Sequence, residues 1–378
     1  MAKILGIVAE YNPFHNGHAY QLDQAQKRAD ADVTVVVMSG NWMQRGEPAL
    51  LDKWQRTKLA LSAGVDLVVE LPFQFAVQPA DLFAKGAVLL LSQLGCTSLA
   101  FGAEHPQLNF AKLVANQPAH AASHFKQFDE TYPTLFNDYL QSQTGLDLRA
   151  SNDILGFSYV AAIQQLKQPL EILPIKRQGS AHQETAIDTN ATIASGAAIR
   201  QAIKNGQQTA VDQMVPPATA TALREDQQVT WDDYWPYLRY QILSTSLADL
   251  HEIYQMSEGI EYRLKQAALT SSSFEQFLRD AKTKRFTYAR LQRLCVYILL
   301  QVNRVELPTE VRYARVLGFN SIGQQHLSRL KKRLELPLIS RVSDDWINGP
   351  YRLDYQAGLL RQMVSGIDQD RLRHAVIV

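Results

Sequence analysis

The stretch Lys3–Tyr20, KILGIVAEYNPFHNGHAY, constrains this chain more than any other. Ile4-Leu5-Gly6-Ile7-Val8-Ala9 is a short, continuous apolar run, as expected of a parallel strand buried on both faces. Asn12-Pro13 breaks it, because proline has no ladder donor. His15-Asn16-Gly17-His18 follows, and then AYQLDQAQKRA places Ala19, Leu22 and Ala25 at helical spacing. Both histidines therefore fall where a strand hands over to a helix. The first amides of a helix lack intrahelical partners and carry partial positive charge, which suits an anion. Gly17 leaves the backbone bare for a phosphate, and the three-residue spacing puts both imidazoles on one side of the first turn. Donors preorganised at a phosphorus centre favour the transition state of a transfer there.

The following segments repeat the strand–helix alternation. Asp32–Met38 reads as a second strand, Asp52–Ala63 as a helix stopped by Gly64, and Val65–Leu71 as a third strand. Ala80–Leu94 is a helix closed by Gly95, Ser98–Gly102 a fourth strand and Leu170–Ile175 a fifth. This order predicts an α/β fold with a parallel sheet and right-handed crossovers. Ligands in such sheets sit beyond the carboxyl ends of the strands. Four segments should meet there with the histidines. The loop SGNWMQRGEP carries Arg45, a candidate for a carboxylate or phosphate. Gly102 suits a base or ribose laid on bare backbone. Lys176-Arg177 brings cations, with Arg177 the choice for phosphate. Ser195 opens a helix that carries Arg200. Ser151-Asn152-Asp153 offers an N-cap to the apolar helix ILGFSYVAAIQQL. Residues 105–150 read as a helical insertion.

Pro216-Pro217 marks the expected boundary of a second domain over 216–378, mostly helical, with no further strand–helix alternation. The formal net charge of the chain is only +1. Yet Lys282, Lys284, Arg285, Arg290, Arg293 and Arg304 are dense, and Arg312, Arg315, Arg329, Lys331, Lys332, Arg333 and Arg341 follow. Phe286, Tyr288, Tyr297 and Tyr313 are interleaved. Cations for phosphates and aromatics for unpaired bases point to RNA, against the plainer alternative of a solvated basic face. Cys96 and Cys295 have neither metal nor redox spacing and read as core thiols. The amino terminus starts a strand at once, without a signal-peptide pattern, and no apolar run is long enough to span a bilayer, so a cytoplasmic protein is expected.

H-x-G-H after a first strand resembles the nucleotidylyltransferase superfamily. The longer strings GIVAEYNPFHNGH, SGNWMQRGEPA, LAFGAEH, SNDILG, LPIKRQG and SGAAIR, in order over nearly the whole chain, resemble the bacterial tRNA(Met) cytidine acetate ligase family. The resemblance implies a Rossmann-like sheet with a helical, basic tRNA-binding domain. It implies ATP as substrate, with magnesium expected beside it, and acetate as the group transferred. Acetylation would fall on the wobble cytidine in the anticodon loop of elongator methionine tRNA. It assigns His15 and His18 to catalysis and Ile7, Val8, Ala9, Glu10, Tyr11, Asn12, Pro13, Phe14, Gly17, Gly102, Asn152, Arg177, Ser195 and Arg200 to ATP. Lys282, Lys284, Arg285, Tyr288, Arg290 and Arg293 would face tRNA. Without the resemblance, a small-molecule adenylyltransferase and a non-catalytic RNA-binding protein with a relic nucleotide pocket remain open.

Overall fold

The computed structural model describes residues 2–116, 141–142, 145, 151–178, 192–305 and 307–378. Most of the proposed helical insertion over 105–150 therefore lies outside the described residues.

Five parallel strands form the centre: β1 (Ile4–Ala9), β2 (Val33–Ser39), β3 (Leu67–Leu71), β4 (Ser98–Ala103) and β5 (Glu171–Lys176). Helix α1 (Asn16–Ala29) links β1 to β2, and α2 (Lys53–Ser62) links β2 to β3. Alternate residues of β2 reach different cores. Val33, Val35 and Val37 meet helices Ala80–Gln93 and Ser151–Gln165, while Val36 and Met38 meet α1, α2 and helix Gly196–Lys204. Both faces are covered, so the strands read as unbroken apolar runs.

The carboxyl-terminal part departs from expectation, because it supplies three more strands to the same sheet. These are β6 (Ala314–Phe319), antiparallel to β3, and two short strands beside it, β7 (Leu338–Ile339) and β8 (Val376–Ile377). The order along the sheet is β5-β4-β1-β2-β3-β6-β7, with β8 also on β6. A basic run had disguised β6, since Arg315 is fully buried beside Glu70. Helices Trp231–Ser244, Ile260–Thr270, Phe274–Ala281 and Tyr288–Leu299 build a separate helical core. The Pro216-Pro217 pair opens a helix whose Ala220, Ala222 and Leu223 still pack on the sheet core.

Order reverses at β1, which lies between β2 and β4, so the crevice between β1 and β4 is the place where this topology puts ligands. Two devices shape the loops around it. The buried Arg56 guanidinium reaches four carbonyl oxygens, those of Glu10, Ser39, Gly40 and Leu51, and so ties the ends of β1 and β2 together. Asn12 accepts from Leu50 N at 2.8 Å and donates to Pro48 O at 3.2 Å, which pins the loop after β2 to the turn after β1. That loop plants Trp42 in the helical core against Trp231 and Tyr234. Gly46 sits at φ 81, and a Cβ there would lie 2.5 Å from the backbone nitrogen of Arg293. Only glycine lets the loop touch helix Tyr288–Leu299. Among the described residues, no helix is long and apolar enough to cross a membrane. Cys96 and Cys295 are buried, free thiols.

Candidate active site

The two histidines cap α1 with each other's help. His15 is the N-cap residue and its side chain accepts the His18 amide, while the His15 amide points at His18 Nδ1 at 3.3 Å. This is the reciprocal geometry that Ser and Glu usually supply at a helix start. It favours the His18 tautomer with its proton on Nε2. The rings stack, with centroids 3.7 Å apart and planes 25° apart. Gly17 has a different task from the one its sequence suggests. A Cβ there would meet His15 Cε1 at 2.9 Å, so the missing side chain seats the His15 ring rather than only baring the backbone.

Burial, and next the nearby Arg177 charge, lowers the His18 pKa to about 3, against a hydrogen bond to the Pro13 backbone that raises it. His18 is therefore a neutral imidazole at ordinary pH, a hydrogen-bond donor and not a cation. Tyr11 and Phe14 pack edge-on and tilted against His18 and hold the ring in place. Tyr11 adopts φ 48, a strained value for a bulky residue at the mouth of the crevice.

These groups line one cavity of about 1310 Å³. Its lining brings together nearly all the residues chosen from sequence: His15, His18, Ile7 to Asn12, Gly17, Arg45, Gly102, Asn152, Arg177 and Arg200. Pro13, Phe14 and Ser195 are not in the lining. Ser195 caps helix Gly196–Lys204 by accepting Ala198 N at 3.1 Å. Arg200 donates to Asn12 O at 2.7 Å and pairs with Glu47. A Cβ on Gly102 would approach Arg177 Cγ only to 3.4 Å, so glycine here keeps the crevice open rather than avoiding a clash. Asn152 lies within the first turn of its helix and is not its cap. It donates to Glu104 Oε1 at 2.7 Å, and Arg177 Nε lies 3.7 Å from the same oxygen.

Two acidic residues stand at the centre of hydrogen bonds in the site. Glu104, within the quoted string LAFGAEH, is the hub of Asn152 and Arg177, and only the fold brings these elements together. Glu10 accepts Gln44 N at 2.6 Å, and burial is the main cause of its raised pKa.

The basic segment is only partly a surface. Tyr288, Lys284 and Arg285 are exposed, but Phe286, Tyr297 and Tyr313 are buried and cannot stack on RNA. Tyr297 is instead a core tyrosine that donates to Val77 O, and Tyr313 donates to Asp354. Lys282 is half-buried and lies 5.7 Å from the Tyr288 ring. Arg293, expected on the surface, is only 8% exposed and lines the cavity along with Arg285 and Arg290. The sequence signal missed was its spacing: Arg293 shares a helical face with Tyr297, one turn on.

The family model described as HIGH Nucleotidyl Transferase matches residues 2–373. The tRNA(Met) cytidine acetate ligase of Levilactobacillus brevis is 51% identical over 97% of this chain and 95% of its own length. That of Lactiplantibacillus plantarum is 46% identical over 98% and 97%. A crystal structure of Thermotoga maritima TmcAL bound with alpha-thio ATP superposes with a TM-score of 0.89 at 29% identity, covering 100% of this chain and 99% of that one. A cavity at the sheet's switch point lined by the histidine pair, full-length likeness to curated ligases and the same overall fold as an ATP-analogue-bound relative lead to one conclusion: the chain belongs to the tRNA(Met) cytidine acetate ligase family.

Proposed function

We propose that the chain is an ATP-dependent ligase that acetylates the exocyclic amine of the wobble cytidine of elongator tRNA(Met). In the first step an acetate oxygen attacks the α-phosphorus of ATP. The new P–O bond forms as the bond to pyrophosphate breaks, giving acetyl-adenylate. His15 and His18 donate to the oxygens of the crowded phosphorus, and Arg177 and Arg200 take up charge on the departing pyrophosphate. In the second step the cytidine amine attacks the acyl carbon, AMP leaves and a proton is released. The anticodon loop presents the base unstacked, which makes its entry inexpensive.

Adenine and ribose would lie along β1 and Gly102, with Asn152 beside them. Magnesium would accompany the triphosphate and help neutralise its charge. A tRNA substrate implies work in the cytoplasm. The observation that carries the reading is the stacked histidine pair on a cavity whose lining also includes Arg285 and Arg290 of the basic segment. A small-molecule adenylyltransferase has no use for that second wall.

The test is exchange of radiolabelled pyrophosphate into ATP. It should require acetate, and the complete reaction should form N4-acetylcytidine in tRNA, read by nucleoside mass spectrometry. Exchange that proceeds without any carboxylate, or tRNA left unmodified, would overturn the proposal.

A further inference from the structure

One wall of the cavity comes from the helical part; Arg285 on it pairs with Glu258 at 3.4 Å, but Arg293 has no such partner among the described residues. Arg293 projects from helix Tyr288–Leu299 and is only 8% exposed. Its Nε has no hydrogen-bond partner, and no carboxylate pairs with the guanidinium among the described residues. Burial holds the Arg293 pKa below its ordinary value, and the Arg290 and Arg45 charges push the same way against Tyr297 and Asp81. A guanidinium taken out of water beside two like charges is costly unless something anionic joins it.

Its neighbours are held in place. Arg290 lies 3.9 Å over the Phe286 ring and donates to Ser257 Oγ at 2.8 Å. Arg45 is carried on the loop that Gly46 presses against the same helix. All three line the cavity. Arg290 and Arg285 also line the cavity, Arg285 paired with Glu258 at 3.4 Å, and the exposed Lys284 adjoins Arg285 in sequence.

We infer that Arg45, Arg290 and Arg293 form a second anion subsite of the cavity, which takes a backbone phosphate of the RNA nucleotide whose base reacts. It is separate from the pyrophosphate cations Arg177 and Arg200 and rests on the proposed ligase reading. A nucleotide cannot bring its base to a reacting centre without also bringing its phosphate. A buried, unpaired guanidinium on the route is the group that would neutralise it, with a planar fork matched to phosphate. The trail of cations leading outward suits a polyanion of which one residue enters. A free nucleotide would need only the inner end.

The experiment measures tRNA affinity of the full chain against salt, with ATP affinity measured separately by equilibrium binding. Arg293→Gln should weaken tRNA binding about tenfold and lower the slope of log affinity on log salt by about 1, with ATP affinity shifted less than about threefold. Arg45→Gln changes an exposed loop residue that the fold does not need, and should lower the slope in the same way. If ATP affinity falls about tenfold while tRNA affinity holds, the arginines serve the triphosphate and the inference is wrong. If Arg45→Gln and a folded Arg293→Gln both leave the salt slope unchanged, the cluster is structural and the inference is equally wrong. A reduced slope in a protein that shows no acetate-dependent exchange would keep the subsite and remove the ligase reading.

Discussion

Two clusters of charge in this molecule are satisfied in different ways. At the seam of β3 and β6, Lys53 Nζ lies 2.8 Å from Glu70 and 2.7 Å from Asp370, and the Tyr351 hydroxyl lies 2.8 Å and 2.9 Å from the same two residues. Arg315, fully buried, lies over the faces of Trp54 and Tyr351, and none of its guanidinium nitrogens has a hydrogen-bond partner among the described residues, so the ring faces are its main company. Lys53 and Glu70 are almost wholly buried. At the cavity, Arg200–Glu47 and Arg177–Glu104 are partly open to solvent, and Arg293 is left without a carboxylate. Charge neutralised inside the fold serves the fold. Charge left facing a cavity without a carboxylate, as at Arg293, is a cost that a ligand can offset.

This contrast separates what mutations should do. The largest effect is expected for His15→Ala combined with His18→Ala: acetate-dependent pyrophosphate exchange should fall at least about 10³-fold, each donor alone being worth about 10²–10³ and the pair not strictly additive. Loss of the α1 cap should cost about 0.5–2 kcal/mol of stability, less than the buried-charge variant below. A slowed exchange that tracks a collapse in melting temperature would erase the distinction between the clusters. Lys53→Met should do the reverse. It leaves Glu70 and Asp370 buried without their cation and should cost about 3–5 kcal/mol in urea unfolding, with exchange per folded molecule retained.

Glu104→Gln falls between the clusters in kind but is smaller in size. Asn152 keeps an acceptor while Arg177 loses its counter-charge, so the KM for ATP should rise about three- to tenfold with kcat little changed. An equal loss in kcat would mean that Glu104 reaches the reacting atoms. The pH-dependent contrast concerns Asp354, at the β3–β6 seam. Burial, and next the Glu70 charge, pushes its carboxyl up to about 8. The native state then keeps a proton that the unfolded chain surrenders near its ordinary value of 3.8. Stability from this group is present at low pH and is lost progressively as pH rises toward 8. Asp354→Asn has no proton to lose, and its melting temperature should vary less between pH 5 and 8 than that of the parent chain.

Residues close in sequence proved the easiest to read. The five central strands, the His15–His18 turn and the helix opened by Ser195 were legible because each is specified by its own few residues. Glu104 was not, since it matters only where β4, helix Ser151–Gln165 and the turn after β5 converge. The basic segment misled in a specific way. Charge density is a property of composition, but which face a cation takes depends on what packs against its helix. Gly46, far upstream, packs against the backbone of Arg293, so the loop and not solvent faces that turn of the helix.

The sequence by itself determined a parallel α/β sheet, a histidine pair at its first strand–helix junction and a membership carried by ordered motifs. Each of these depends on local patterning and spacing, which a single chain displays openly. The tertiary structure alone decided that Arg315 and the last residues close the edge of that sheet, that Gly17 seats a ring, and that part of a basic stretch walls the cavity of the histidine pair. Those outcomes require elements distant in sequence to compete for the same buried space, and burial is settled only when the whole chain has packed.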